Sequence, residues 1–159
     1  MTFGDLFPAS DRLESIRRQL VPGVILYLHC QFTTPAPKSK YLVLVCSEPL
    51  LFLVINSDQR ELVRSNARWR DAQVPLLSAD YPFLDHDSWV DCTGAIGIED
   101  LPRDSLERQI LADMQRIKDP QLSSAKLDEI PDAVAVSPGI LPRDRNLIVA
   151  ALSNSAVQD

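Results

Sequence analysis

The sequence predicts an α+β fold, with helices packed on one side of a curled antiparallel sheet. Three observations carry the prediction. Between Val24 and Cys92 the apolar residues fall in short β-branched and aromatic runs, each bounded by turn residues. After Gly97 the apolar spacing lengthens from two to about 3.6, the helical period. Strands come first and helices follow, which is the order of an α+β domain rather than of alternating βαβ units. The chain has 159 residues, 45% hydrophobic and 24% charged, as expected of one globular domain. Its parts are a helical segment over 1–20, a barrel-like sheet over 21–97, a helical part over 98–152 and a frayed tail over 153–159.

Ser10 to Leu20 predicts a short helix, capped by Ser10 or Asp11, with Leu13, Ile16 and Leu20 at helical spacing and Pro22-Gly23 as its stop. Val24 to Phe32, Tyr41 to Cys46 and Leu50 to Ile55 predict strands. The Pro-rich stretch Thr33 to Lys40 joins the first two as a loop, and Ser47-Glu48-Pro49 joins the next two as a tight hairpin. The second and third strands are apolar at successive residues, so both faces are covered, in a barrel or under helices. Asp58 to Arg70 is ambiguous: Asp58 with Glu61 resembles a capping box, and a helix there would stack Arg60, Arg64 and Arg68 at four-residue spacing. Gln73 to Leu77 predicts an edge strand holding Pro75, and Asp87 to Cys92 another strand. Three helices follow. Arg103 to Ile117 has Leu106, Ile110, Met114 and Ile117 on one stripe. Ser124 to Val136 is broken or restarted at Pro131. Leu141 to Leu152 follows the Ser137-Pro138-Gly139 turn.

Composition excludes several function classes. Net charge is -6, from 22 acidic and 16 basic residues, the opposite of a duplex-binding protein that works by neutralising phosphates. Cys30, Cys46 and Cys92 are odd in number and lack CxxC spacing, so a reducing, cytoplasmic compartment is expected. The first residues, MTFGDLFPAS, show no basic start followed by an apolar run, so no secretory leader is expected. The most apolar stretch, Tyr41 to Ile55, is interrupted by Ser47-Glu48-Pro49 and falls short of the about 20 residues a membrane span needs. Walker, GxGxxG and GxSxG motifs are missing from the sequence, so no nucleotide cofactor is expected.

Two stretches resemble the PemK/MazF-like toxins. The run Pro22-Gly23-Val24-Ile25-Leu26-Tyr27, the loop Lys38-Ser39-Lys40 and the strand Tyr41-Leu-Val-Leu-Val-Cys-Ser47 look like the opening of those proteins. The run Asp87-Ser-Trp-Val-Asp91-Cys-Thr-Gly-Ala-Ile96, with Asp100-Leu-Pro-Arg103 after it, is similar to their last barrel strand and following turn. Val54-Ile-Asn-Ser57, Gln73-Val-Pro-Leu76 and Phe83-Leu-Asp-His-Asp87 resemble a divergent PemK-like branch found in bacteria. The likeness spans Leu20 to Leu152 by element order, in short words. It implies a small antiparallel SH3-like β-barrel with C-terminal helices, a homodimer, and sequence-specific, metal-independent cleavage of single-stranded RNA, masked by a cognate antitoxin. The chain departs from that pattern at four places. Val24 stands where the family has aspartate after Pro-Gly. Lys40-Tyr41 replaces Arg-Pro, Asn56-Ser57 aligns with Thr-Ser, and the cleft arginine has no clear counterpart. These departures bear on cleavage more than on fold, and they leave open a catalytically inactive barrel that serves as a protein-interaction module.

Metal-free RNA cleavage needs a base for the 2′-OH, an acid for the leaving oxygen and cations for the phosphorane. Lys40, Asn56, Ser57 and Arg64 are the catalytic candidates. Lys38, Arg60, Arg68 and Trp69 are the substrate-binding candidates, the tryptophan by stacking on a base. Each has a plainer reading. The lysines can solubilise a loop that overhangs a cleft, and Asn56-Ser57 can close a turn on their own backbone. The arginines can form a solvated face beside Glu61 and Asp71, and the tryptophan can pack. Asp85-His86-Asp87 could poise an imidazole between carboxylates, but neighbours on an extended chain point to opposite faces. A loop capped by an aspartate is the plainer reading there, and no metal shell is completed elsewhere. His29-Cys30 lie inside a strand and give no catalytic pair.

Overall fold

The computed structural model describes residues 9–158, and the side chains of residues 10–153. The start of the predicted N-terminal segment therefore lies outside the described residues. Helix α1 is Ala9–Gln19; strands β1, β2 and β3 are Ile25–Cys30, Lys38–Ser47 and Leu50–Asn56; short helices α2 and α3 are Glu61–Ser65 and Ala67–Arg70. Strands β4 and β5 are Gln73–Leu76 and Ser88–Ile96; helices α4, α5 and α6 are Arg103–Ala112, Ser124–Val136 and Pro142–Gln158.

The five strands form one antiparallel sheet in the order β1-β2-β3-β5-β4. The α+β class holds. The expected cylinder does not close, because β1 and β4 stay at opposite margins and do not pair with each other. Register shifts between Leu44 and Cys46 and between Phe52 and Val54 bend the sheet. Helices also cover both faces rather than one. Alternate residues of one strand feed two separate cores. Leu42, Leu44 and Phe52 pack with Ile16 of α1, with Leu20 just after it, and with Leu106 and Ile110 of α4. Val43, Val45 and Leu53 pack with Ile130, Ala133 and Val134 of α5 and with Ile148 and Leu152 of α6. This is why the central strands are apolar at every residue. On the first face, Arg17 grips the buried Glu107 with a fork, Nε to Oε2 at 2.6 Å and Nη2 to Oε1 at 3.3 Å, which pins α1 to α4.

Both margins of the sheet are blocked. Along β1, the Gln109 amide accepts from the His29 N–H at 2.8 Å and donates to its carbonyl at 3.1 Å. Arg116 Nη1 donates to the Tyr27 carbonyl at 2.9 Å, and the Lys118 N–H to that of Ile25 at 2.8 Å. At the other margin β4 has only four residues, and its Pro75 has no N–H to offer.

Several boundaries differ from the sequence-based expectation. Lys38 to Lys40 open strand β2 instead of standing on a loop, drawn in by pairing with Cys30, Ser39 to His29 and Lys40 to Leu28. The candidate helix over 58–70 splits at Asn66, whose side chain turns back to accept from the Arg68 N–H and starts α3 afresh. Its expected capping box is also missing: Arg60 precedes α2 without a side-chain cap. Helix α4 stops at Ala112, and Asp113 opens a separate 3-10 turn, Met114–Arg116, leaving Met114 exposed rather than on the buried stripe. Pro131 does not break α5, because burial of Ile130, Ala133 and Val134 around it holds the helix together. Arg145 caps its end, Nε donating to the Val134 carbonyl at 3.1 Å. Helix α6 runs on through the segment expected to fray. Among the described residues no helix is long and apolar enough to cross a membrane.

Candidate functional site

At one end of the sheet the start of β2, the end of β3 and the start of β5 lie side by side. Apolar alternation ends there and polar residues take over. On the face that carries α1 and α4 farther along, Lys40 Nζ donates to Asn56 Oδ1 at 2.7 Å. Asn56 Nδ2 reaches Asp91 Oδ2 at 3.5 Å. Asp91 Oδ1 accepts from Gln73 Nε2 at 2.9 Å, from the Thr93 N–H at 3.0 Å and from Thr93 Oγ1 at 2.6 Å. Cross-strand pairing makes this row. Asp91 lies opposite Val54 on one side and Gln73 on the other, and Asn56 lies opposite Trp89. Burial lowers the Lys40 pKa from the usual lysine range, and the charge of Lys38 adds to this, against the opposing pull of Cys30 and Asp91. Burial pushes the Cys30 thiol up to about 11 and the Cys92 thiol up as well, so neither is a ready nucleophile.

A cleft of about 260 Å³ runs across the same strand ends, lined by Lys38, Lys40, Ser57, Asp85 and His86 among others. Tyr27 and Tyr41 also line it, their ring centroids 4.5 Å apart, and the Tyr41 hydroxyl donates to the Phe83 carbonyl at 2.9 Å. Burial, followed by the nearby Tyr27 and Asp85, raises the Tyr41 pKa.

The structure thus brings Lys38, Lys40, Asn56 and Ser57 together, and the arginine group goes elsewhere. Arg64 Nη1 pairs with Asp58 Oδ1 at 3.4 Å, Arg68 is exposed, and Arg60 lies over the Trp69 ring at 5.9 Å. None of them lines the cleft. With the helix split, the arginines do not form one row. Trp69 is half-buried and packs on the α5–α6 turn. A Cβ on Gly139 would stand 3.0 Å from Trp69 Cη2 and 2.6 Å from the Thr93 carbonyl oxygen, so only glycine fits there.

The Asp85-His86-Asp87 word divides. Asp85 and His86 line the cleft, whereas Asp87 Oδ1 accepts from the Ser78 N–H at 2.8 Å and from Ser78 Oγ at 3.1 Å. Those two bonds hold the Asp87 carboxyl below the usual aspartate range. A carboxylate depressed in the folded state stabilises the fold above its unfolded range, and that stability is lost as pH falls through the lowered value. Asp87→Asn is therefore expected to flatten the acid side of the stability profile. Thermal melts from neutral to acid pH check this, and parallel slopes for parent and variant would remove the role.

Sequence reasoning missed Asp91, Gln73 and Thr93. The available signal was Asp91 itself, a carboxylate inside a strand between the apolar Val90 and Cys92. Among the described residues no three His, Cys, Asp or Glu side chains gather as metal ligands. No family model matches this chain, and no curated protein matches it in sequence.

Proposed function

We propose that the chain is a PemK/MazF-like protein that binds and cleaves single-stranded RNA without a metal, its bent sheet an SH3-like barrel left open. The pair Lys40–Asn56 carries this reading. The resemblance aligned these residues with two family motifs 16 positions apart, and here their side chains meet at 2.7 Å. The homodimer and the masking antitoxin come with the resemblance alone.

In this reading Lys40 exchanges the Asn56 carbonyl for a phosphate oxygen, a charge-assisted bond for a charged group. Its lowered pKa makes it a better proton donor to the leaving oxygen than an ordinary lysine. Lys38 and Ser57 hold neighbouring phosphates, and the Tyr27 and Tyr41 rings offer stacking for bases. His86, on the cleft wall, is the base the site offers, an imidazole whose ring nitrogen can accept the 2′-OH proton.

One observation favours the inactive protein-interaction module as a second reading. The Asp91 carboxylate is already engaged by Gln73, Thr93 and Asn56, and among the described residues no arginine lines the cleft to meet the phosphorane.

Incubation of the purified chain with mixed single-stranded RNA and EDTA separates the two. Discrete cuts are expected, slowed about a hundredfold by Lys40→Ala, the usual cost of losing one group that stabilises the transition-state charge. Activity is expected to fall on the alkaline side below the ordinary lysine range, as Lys40 loses its proton, and Lys40→Arg moves that fall to higher pH. Intact RNA at large protein excess ends the ribonuclease reading and leaves the interaction module.

A further inference from the structure

The far end of the sheet has a second recess of different chemistry. A groove of about 420 Å³ lies between the β2–β3 turn, the end of β5 and the start of α6. Leu50, Leu51 and Leu147 line it, and Leu141 and Ile98 line it too while remaining 62% and 54% exposed. Large apolar side chains left this open at the mouth of a recess mark a contact surface. Its charge is one-sided. Glu99, Asp100 and Asp144 face a single cation, Arg143.

Asp144 sets this groove apart from an acidic patch. The residue is only 7% exposed, yet its Oδ1 accepts no hydrogen bond among the described residues. The nearest cation, Arg143 Nε, stands at 3.8 Å on a side chain that is 81% exposed. A buried carboxylate oxygen without a donor is costly, and a donor brought by a ligand would relieve that cost. The carboxylates repel phosphate, which excludes nucleic acid, and they do not gather as metal ligands.

We propose that this groove binds a segment of a partner protein in which an arginine or lysine stands between apolar residues. The apolar side chains cover Leu141 and Ile98, and the cation reaches Asp144 past the loosely held Arg143. The groove lies at the opposite end of the strands from Lys40, so this proposal is independent of the RNA reading.

Anisotropy of a fluorescein-labelled peptide of alternating leucine and arginine tests it, with a leucine–glutamate peptide as control. The arginine peptide is expected to bind and the glutamate peptide not. Asp144→Asn is expected to weaken binding about tenfold, the value of one charged hydrogen bond. The double variant Leu141→Ser, Ile98→Ser changes only exposed positions, so it keeps the fold and is expected to weaken binding too. Equal affinity for both peptides overturns the proposal, as does binding that neither variant alters. Self-association of the chain that the double variant abolishes also overturns it, by making a second copy the occupant.

Discussion

Phe52→Ala is expected to destabilise the chain by about 3–5 kcal/mol, as for a large aromatic removed from a core that cannot collapse onto the gap. Phe52 is 1% exposed and belongs to the layer between the sheet and helices α1 and α4. Its neighbours come from three sources, the sheet itself and two helices already held together by Arg17 and Glu107. That scaffold limits relaxation. Against a typical domain stability of about 5–15 kcal/mol, the loss brings the variant close to unfolding at room temperature. The shift of the urea midpoint measures it. A loss below about 1 kcal/mol would mean that Phe52 is not packed as described.

Leu53→Ala is expected to cost about 2–5 kcal/mol, by the same cavity argument in the other layer. Leu53 follows Phe52 directly, is 0% exposed, and packs with α5 and α6. Two adjacent residues thus probe two separate cores. Because their side chains enter different layers, Ile16→Ala in the first layer and Ile148→Ala in the second are expected to add within about 0.5 kcal/mol. Strong coupling between these distant positions would contradict the two-layer arrangement. If Leu53→Ala is tolerated while Phe52→Ala is not, only the layer of α1 and α4 carries the fold.

The strands were legible because burial on both faces leaves a mark in one dimension. Leu42 to Val45 and Leu50 to Leu53 have no polar position to offer water. The same run does not say what covers each face. A closing cylinder and a pair of helical layers make identical demands on strand composition, so the runs alone do not tell whether the sheet closes, and they do not show that helices cover both faces. The arginine row failed for a local reason. Asn66 can accept a backbone N–H as readily as it can continue a helix, and capping won. The site was partly legible. Lys40 and Asn56 were named through a resemblance, and only strand register shows that they touch. Asp91 was passed over because strand periodicity explains a single polar residue without any chemistry. Asp144 was hidden for a simpler reason: an aspartate in a first helical turn looks like an ordinary partner of the helix dipole.

The Gln109 amide clasped to the backbone of His29, and the proline in β4, have a consequence for association. A margin already bonded along β1, and one cut short and missing a donor at Pro75, make a poor template for a further strand from a second molecule. Contact between two copies is therefore expected to run through side chains on faces or strand tips rather than through strand addition along β1.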